Sequence, residues 1–209
     1  MRKAFLFLIL CFVVTLAPLS SRAIVHTQIG PELMILDESS FILGERIVVN
    51  ERSTLISFDS DLLFTGNDEK FGFVLGIAAS CPVKMEVNGI DLATDFSDSL
   101  FSYSAGLYAS EKLQDSRFFS TIGYRFGYSR DTEYVDGYPM TTIAHIHMID
   151  GKVGFEMSAE QSTSLSFGLR ASYPFYLYNR AEYRGEVLEP EIRVSGISLN
   201  PFIGIVNRF

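Results

Sequence analysis

The chain has 209 residues, enough for one domain, and carries 17 Lys and Arg against 25 Asp and Glu, a net charge of −8. Such an acidic balance excludes nucleic acid as a partner, because a polyanion repels that surface. Past the N terminus no stretch is apolar for the roughly 20 residues a membrane helix needs. Strands are then the only way across a bilayer, and lipid accepts strands only in a closed barrel, where no backbone edge is left unpaired.

In chain order, the first segment reads as a leader. Arg2 and Lys3 form a short positive region, Ala4 to Leu16 is apolar apart from Thr15, and Ser21-Arg22-Ala23 places small residues where a signal peptidase reads them. The pattern predicts a Sec-type signal peptide over 1–23 and a mature domain over 24–209. Arg2, Lys3 and Arg22 leave with it, so 14 cations remain against 25 acids and the mature charge is −11. Cys81 is then the only cysteine, which excludes an internal disulfide.

The mature chain alternates with period two again and again. Val25, Thr27, Ile29, Leu33 and Ile35 share one face, with His26, Gln28, Gly30, Glu32 and Met34 on the other; Pro31 interrupts the apolar set. In the next segment Ile56, Phe58, Leu62 and Phe64 oppose Ser57, Asp59 and Asp61, with Ser60 out of pattern. Further segments cover 71–80, 101–109, 118–128, 153–160, 165–175 and about 192–209, which predicts eight strands. Thr141 to Ile149 also alternates and, with Phe41–Asn50, allows ten if Asp150-Gly151 turns the chain. One face is rich in Phe, Leu and Ile, as lipid contact requires. The other is rich in Gly, Ser and Ala with isolated charges, as a narrow lumen requires.

Connections alternate between short (66–70, 111–116, 161–163) and long (near 37–52, 81–99, 130–150 and 176–191). This is the layout of an antiparallel up-and-down transmembrane barrel with short periplasmic turns and long outer loops. Asn88-Gly89 and Asp136-Gly137 are hairpin signals inside the long connections, and predict that some strands run on beyond the membrane.

The chain ends in Phe209, with Ile205, Ile203, Leu199 and Ile197 on the same face and Asn207 where an apolar residue is usual. This resembles the terminal strand of bacterial outer-membrane barrels. In size and layout the mature chain resembles the small eight-stranded barrels of the OmpX, OmpW and OmpA-transmembrane-domain type. The resemblance implies an outer-membrane location, lipid around the barrel and a monomeric state. It also implies that Ile203, Ile205 and Phe209 are read by the barrel-assembly machinery. Phe64, Phe71 and Phe209 would mark the periplasmic rim, and Phe101, Tyr103, Tyr128, Tyr173 and Phe175 the outer one.

Glu32, Asp59, Asp61, Arg125, Glu156, Glu160 and Arg170 fall on the inward face, and predict a polar network of ion pairs filling the lumen. His145 and His147 share one strand face at a spacing that could seat a metal, but two ligands without a third make a weak site, and a surface hairpin carrying two histidines is the plainer reading. A hydrolytic set of His145, Glu156 and Ser158 has no supporting motif, and no phosphate loop, CxxC or zinc signature occurs. The reading therefore assigns no catalytic, cofactor or metal residue. Three functions fit this layout. One is a non-enzymatic anchor whose loops meet an extracellular or host ligand or support the envelope. The others are a narrow channel for ions or small apolar solutes, and a soluble periplasmic ligand-binding barrel, although the Trp usual in lipocalins is missing.

Overall fold

The computed structural model describes residues 22–42, 45–94, 99–158, 162–189 and 191–209. The described residues form one antiparallel sheet of ten strands: β1 (Arg22–Ile42), β2 (Glu45–Thr65), β3 (Phe71–Val87), β4 (Ile90–Leu92), β5 (Leu100–Leu113), β6 (Ser116–Val135), β7 (Tyr138–Ser158), β8 (Thr163–Tyr183), β9 (Glu186–Leu188) and β10 (Glu191–Arg208). Eight of them close a ring in the order β1-β2-β3-β5-β6-β7-β8-β10, with β10 pairing back onto β1. The two three-residue strands are hairpin arms outside the ring, β4 folding back on β3 and β9 on β8. Eight is thus the barrel number. Most of the segment 1–23, expected as a leader, lies outside the described residues, and Arg22 and Ala23 form the first rungs of β1 against Thr65 and Phe64.

The outer connections differ from the expected long loops. The segments near 37–52 and 130–150 are largely strand, because β1 pairs with β2 from Arg22↔Thr65 out to Ile42↔Glu45 and β6 with β7 out to Val135↔Tyr138. The physical reason is continuous pairing along both strands, helped in 130–150 and in the other outer hairpins by turn chemistry. Asn88-Gly89, Asp136-Gly137 and Arg184-Gly185 each place two successive residues at positive φ, between 51° and 81°, the tight turn whose twist matches a hairpin. Hairpins so capped need no loop. Asp150-Gly151 is no turn: both residues sit inside β7, opposite Gly123 and Ile122 of β6. The segment expected over 153–160 is the periplasmic half of a longer strand that takes in Thr141–Ile149; Ala159 and Glu160 lie outside the described residues.

Alternation sets the two faces. Ile29, Leu33, Phe58, Leu75, Ile77, Ile122, Leu165 and Ile203 are exposed on the outer wall, while their neighbours Gln28, Glu32, Asp59, Ser166 and Phe202 are buried in the lumen. Rings mark the limits of the apolar wall. Phe118, Phe155 and Phe167 pack against one another toward the periplasmic turns. Tyr124, Phe126 and Tyr128 of β6 and Phe175, Tyr176 and Tyr178 of β8 flank His145 and His147 toward the outer end. From Phe118 to Phe126, Phe155 to His147 or Phe167 to Phe175 the strands advance about 20 Å along the barrel axis, given a rise of about 3.3 Å per residue and a tilt of about 40°. That is close to the apolar band of a bacterial outer membrane.

Candidate functional site

Among the described residues, charged groups gather away from water in the lumen, which is built in layers. At the periplasmic mouth the β2–β3 turn presents Glu69, whose carboxylate meets Arg117 of β6 at 3.1 Å and Arg208 of β10 at 3.2 Å. Arg208 also pairs with Glu156, and His26 Nε2 lies 3.1 Å from the second oxygen of that carboxylate. The neighbouring hydroxyls join the cluster: Arg208 donates to Ser164 at 2.8 Å and Arg117 to Ser110 at 2.8 Å. Arg208 is thus held from the β2–β3 turn, β7 and β8, one residue before Phe209, whose N–H donates to the Ala23 carbonyl at 3.0 Å.

Above it sits an apolar layer of Ile24, Leu63, Val74, Tyr108, Phe119, Phe202 and Val206, all buried. Its centre is Phe119, edge-on to His26 at 5.4 Å and close to Tyr108 and Phe202. Glycine makes the room: a Cβ on Gly154 would come within 2.7 Å of the Phe119 ring, and one on Gly168 within 2.7 Å of Phe202. The small residues of the inward face therefore admit rings from other strands.

The central layer is polar. Arg170 pairs with Asp59 and donates to Asp150 at 2.9 Å, while Ser172 donates to Asp150 at 2.6 Å. Lys152 pairs with Asp61 and donates to Gln28 at 2.8 Å. One level outward, Arg125 pairs with Glu32 at 3.0 Å and donates to Ser102 at 2.9 Å, and Glu32 accepts from Ser80 at 2.8 Å and Ser198 at 2.6 Å. Glu32 and Arg125 are 1% and 0% exposed, so each charge depends on the other and on these hydroxyls. A void against Asp61, Asp150, Lys152 and Arg170 measures about 10 Å³, the size of one water.

A second apolar layer, Met34, Leu36, Leu55, Leu100, Ile146, Met148 and Leu177, closes the outer side, with Ile192 and Val194 against it. Beyond it the strands rise as a crown. There Glu38 of β1 is half-buried, and burial together with the neighbouring Glu51 raises its carboxyl from the ordinary 4.5 to about 7.

Of the residues singled out from the sequence, Glu32, Asp59, Asp61, Arg125, Glu156 and Arg170 all lie in the lumen, five in the two central levels and Glu156 at the periplasmic mouth. With Glu160, which lies outside the described residues, the inward candidates number seven, five acids and two bases. Lys152 answers Asp61, and Arg208 answers Glu156 and also Glu69, which Arg117 meets as well; these three bases are not among the sequence candidates. Lys152 has the inward parity of Gly154 and Glu156 but lies beside Asp150-Gly151, whose composition predicts a turn; Arg208 has the parity of Val206, on the face opposite the apolar strip that ends in Phe209. Ile203, Ile205 and Phe209 face outward, 60%, 47% and 79% exposed. His145 and Glu156 lie on opposite faces of β7, so the supposed hydrolytic set does not assemble. His147 is in the outer girdle, its Nδ1 bonded to the Tyr124 hydroxyl at 2.5 Å. Cys81 lies 3.6 Å from the Ser99 hydroxyl.

No protein-family model matches the chain, and no curated protein matches it either. Solved structures do. The outer-membrane protein OprG from Pseudomonas aeruginosa is 14% identical with a TM-score of 0.55, over 91% of this chain and 97% of that one. The Neisserial surface protein A is 14% identical with a TM-score of 0.50, over 88% and 97%. The outer membrane protease OmpT from Escherichia coli is 8% identical with a TM-score of 0.55, over 90% and 97%. At such identities the likeness is one of fold, and it agrees with the closed ring, the apolar wall and the ring-bounded belt. The chain folds as a small bacterial outer-membrane β-barrel.

Proposed function

We propose that the chain is a non-enzymatic, non-conducting monomeric anchor in the outer membrane. Its crown of strand hairpins meets a ligand outside the cell or supports the envelope. The observation that supports this reading is the stacking in the lumen: two apolar layers enclose an ion-paired layer, and a void against that layer is only the size of one water. Eight strands leave an interior only just filled by side chains, and the layering supports a lumen closed to hydrated ions. Fold cannot name the ligand, because the same scaffold carries unrelated functions.

In the same reading residues 1–23 carry the chain across the inner membrane and are removed. Ile203, Ile205 and Phe209 are then the outward strip that the barrel-assembly machinery reads. The polar network, including Glu32, Asp59, Asp61, Arg125, Glu156 and Arg170, serves as a structural plug.

Planar-bilayer recording tests the proposal. The mature chain, shown to be folded by its shift in gel mobility between cold and boiled SDS, should give no discrete current steps. Regular ion-selective steps would replace the anchor with a narrow channel. Full solubility without detergent would replace both with a periplasmic ligand binder.

A further inference from the structure

Above the outer girdle, β6, β7 and β8 bring together a set of hydrogen-bond donors that the plug does not use. Pairing sets Arg130 of β6 and Arg180 of β8 on either side of Ile143 of β7. All three have the outward parity of Tyr124 and His147, so the two arginines stand on strands about 10 Å apart with their side chains free to converge over Ile143. The row below sets His145 between Tyr128 and Tyr178, with ring centroids 5.5 Å and 5.4 Å away. The row above sets Thr132 beside Thr141, their hydroxyls 3.1 Å apart, and Thr141 beside Glu182.

Charge marks this group out from the rest of the crown. On the β3–β4 hairpin Lys84 is already held by Asp91 at 3.0 Å. Arg130 is exposed and meets no acid among the described residues. Arg180 lies 3.7 Å from Glu182 and 3.8 Å from Glu189, long contacts between exposed groups that water screens; the Tyr178 hydroxyl donates to Glu189 at 3.0 Å. Two guanidinium forks aimed at one place match the oxygens of a phosphate. The arginine row stands about 10 Å along the axis from the row of Phe126 and His147, where the headgroup layer, roughly 5–8 Å deep on each side, meets water.

We infer that Arg130 and Arg180, with His145 below and Thr132 and Thr141 above, form a site for a phosphate monoester at the membrane surface. The phosphate of a glycolipid headgroup and that of a soluble sugar phosphate share this chemistry. The inference goes beyond the anchor reading and is independent of whether the lumen conducts.

Native mass spectrometry of the detergent-solubilised mature chain tests it, with lipid A added in its diphosphorylated and its dephosphorylated form. The wild-type barrel should retain the diphosphorylated form about tenfold better, as charge-assisted hydrogen bonds imply. An Arg130→Gln, Arg180→Gln double variant should lose that preference. An Arg52→Gln, Lys84→Gln double variant removes as many cations from β2 and β3 and should keep it. Glucose 1-phosphate added as competitor names the source: displacement of the lipid makes the phosphate group alone sufficient, and retention assigns the site to the lipid headgroup. Equal retention of the two lipids by the wild-type chain, or the same loss in both double variants, overturns the inference. The cold-SDS mobility shift reports folding separately; if the Arg130→Gln, Arg180→Gln variant lacks it, Arg130→Gln alone takes its place.

Discussion

Pro31 and Pro201 face one another across the seam that closes the barrel. Ile29 pairs with Ile203 and Leu33 with Leu199, so the register between them sets the two prolines opposite each other, and the ladder between β1 and β10 is interrupted there alone along the wall. Neither residue has an N–H to give. The seam thus lacks two hydrogen bonds on the lipid-facing side, where no water can substitute. The same strands stay paired on their other sides, Pro31 with Ile56 and Pro201 with Leu169.

Restoring both donors should tighten the seam. In a Pro31→Val, Pro201→Val double variant each recovered hydrogen bond is worth about 1 kcal/mol. The temperature at which the compact form is lost in SDS should rise, by more than the sum of the two single changes. Equal or lower resistance would show that the seam is relaxed around the prolines.

The Glu32–Arg125 pair predicts a second asymmetry. Arg125→Met leaves Glu32 as a buried carboxylate held only by Ser80 and Ser198, which should cost about 3–5 kcal/mol. Adding Glu32→Leu removes the stranded charge and should recover most of that loss. Urea unfolding in lipid vesicles measures both. A double variant as unstable as the single one would mean that the serine hydroxyls, not the charge, dominate.

Glu38 predicts a pH dependence in the crown. Its carboxyl stays protonated to about pH 7 in the folded state but ionises near 4.5 once unfolded. Stability from this group is therefore fully present below pH 4.5 and falls as pH rises toward 7, by up to about 3 kcal/mol. Glu38→Gln removes the penalty, so it should raise the urea midpoint at pH 8 and change it little at pH 4. A variant with the same gain at both values would point to packing rather than protonation.

Much of the barrel was legible in the sequence because alternation has only two phases. Once Phe58 faces lipid, Asp59 must face the lumen, and the same parity placed Glu32, Arg125, Glu156 and Arg170 inside. Asp59, Asp61 and Arg170 were therefore found without any contact being known. What parity could not give is height along the axis or the partner across the lumen. Nothing local in Lys152 marks it as the partner of Asp61, and Asp150-Gly151 has a turn composition that pairing on both sides of β7 overrides. Likewise the length of the outer hairpins follows from pairing across β1–β2 and β6–β7, which loop composition does not report.

The ion pairs and hydrogen bonds of the lumen join residues that are mostly remote along the chain. Glu32 and Arg125 are 93 positions apart, Asp59 and Arg170 111, Gln28 and Lys152 124, and Ser198 and Glu32 166. A single hairpin contains few of them, Arg170–Asp150 of β7–β8 being one, and no half of the ring contains most of them. The stabilisation they give arrives only when the last strand docks on the first, after the entropy of closing every loop has been spent. Assembly is therefore all-or-none: an unfinished barrel holds lone carboxylates and guanidinium groups facing one another across an open gap, and it gains little until the gap shuts.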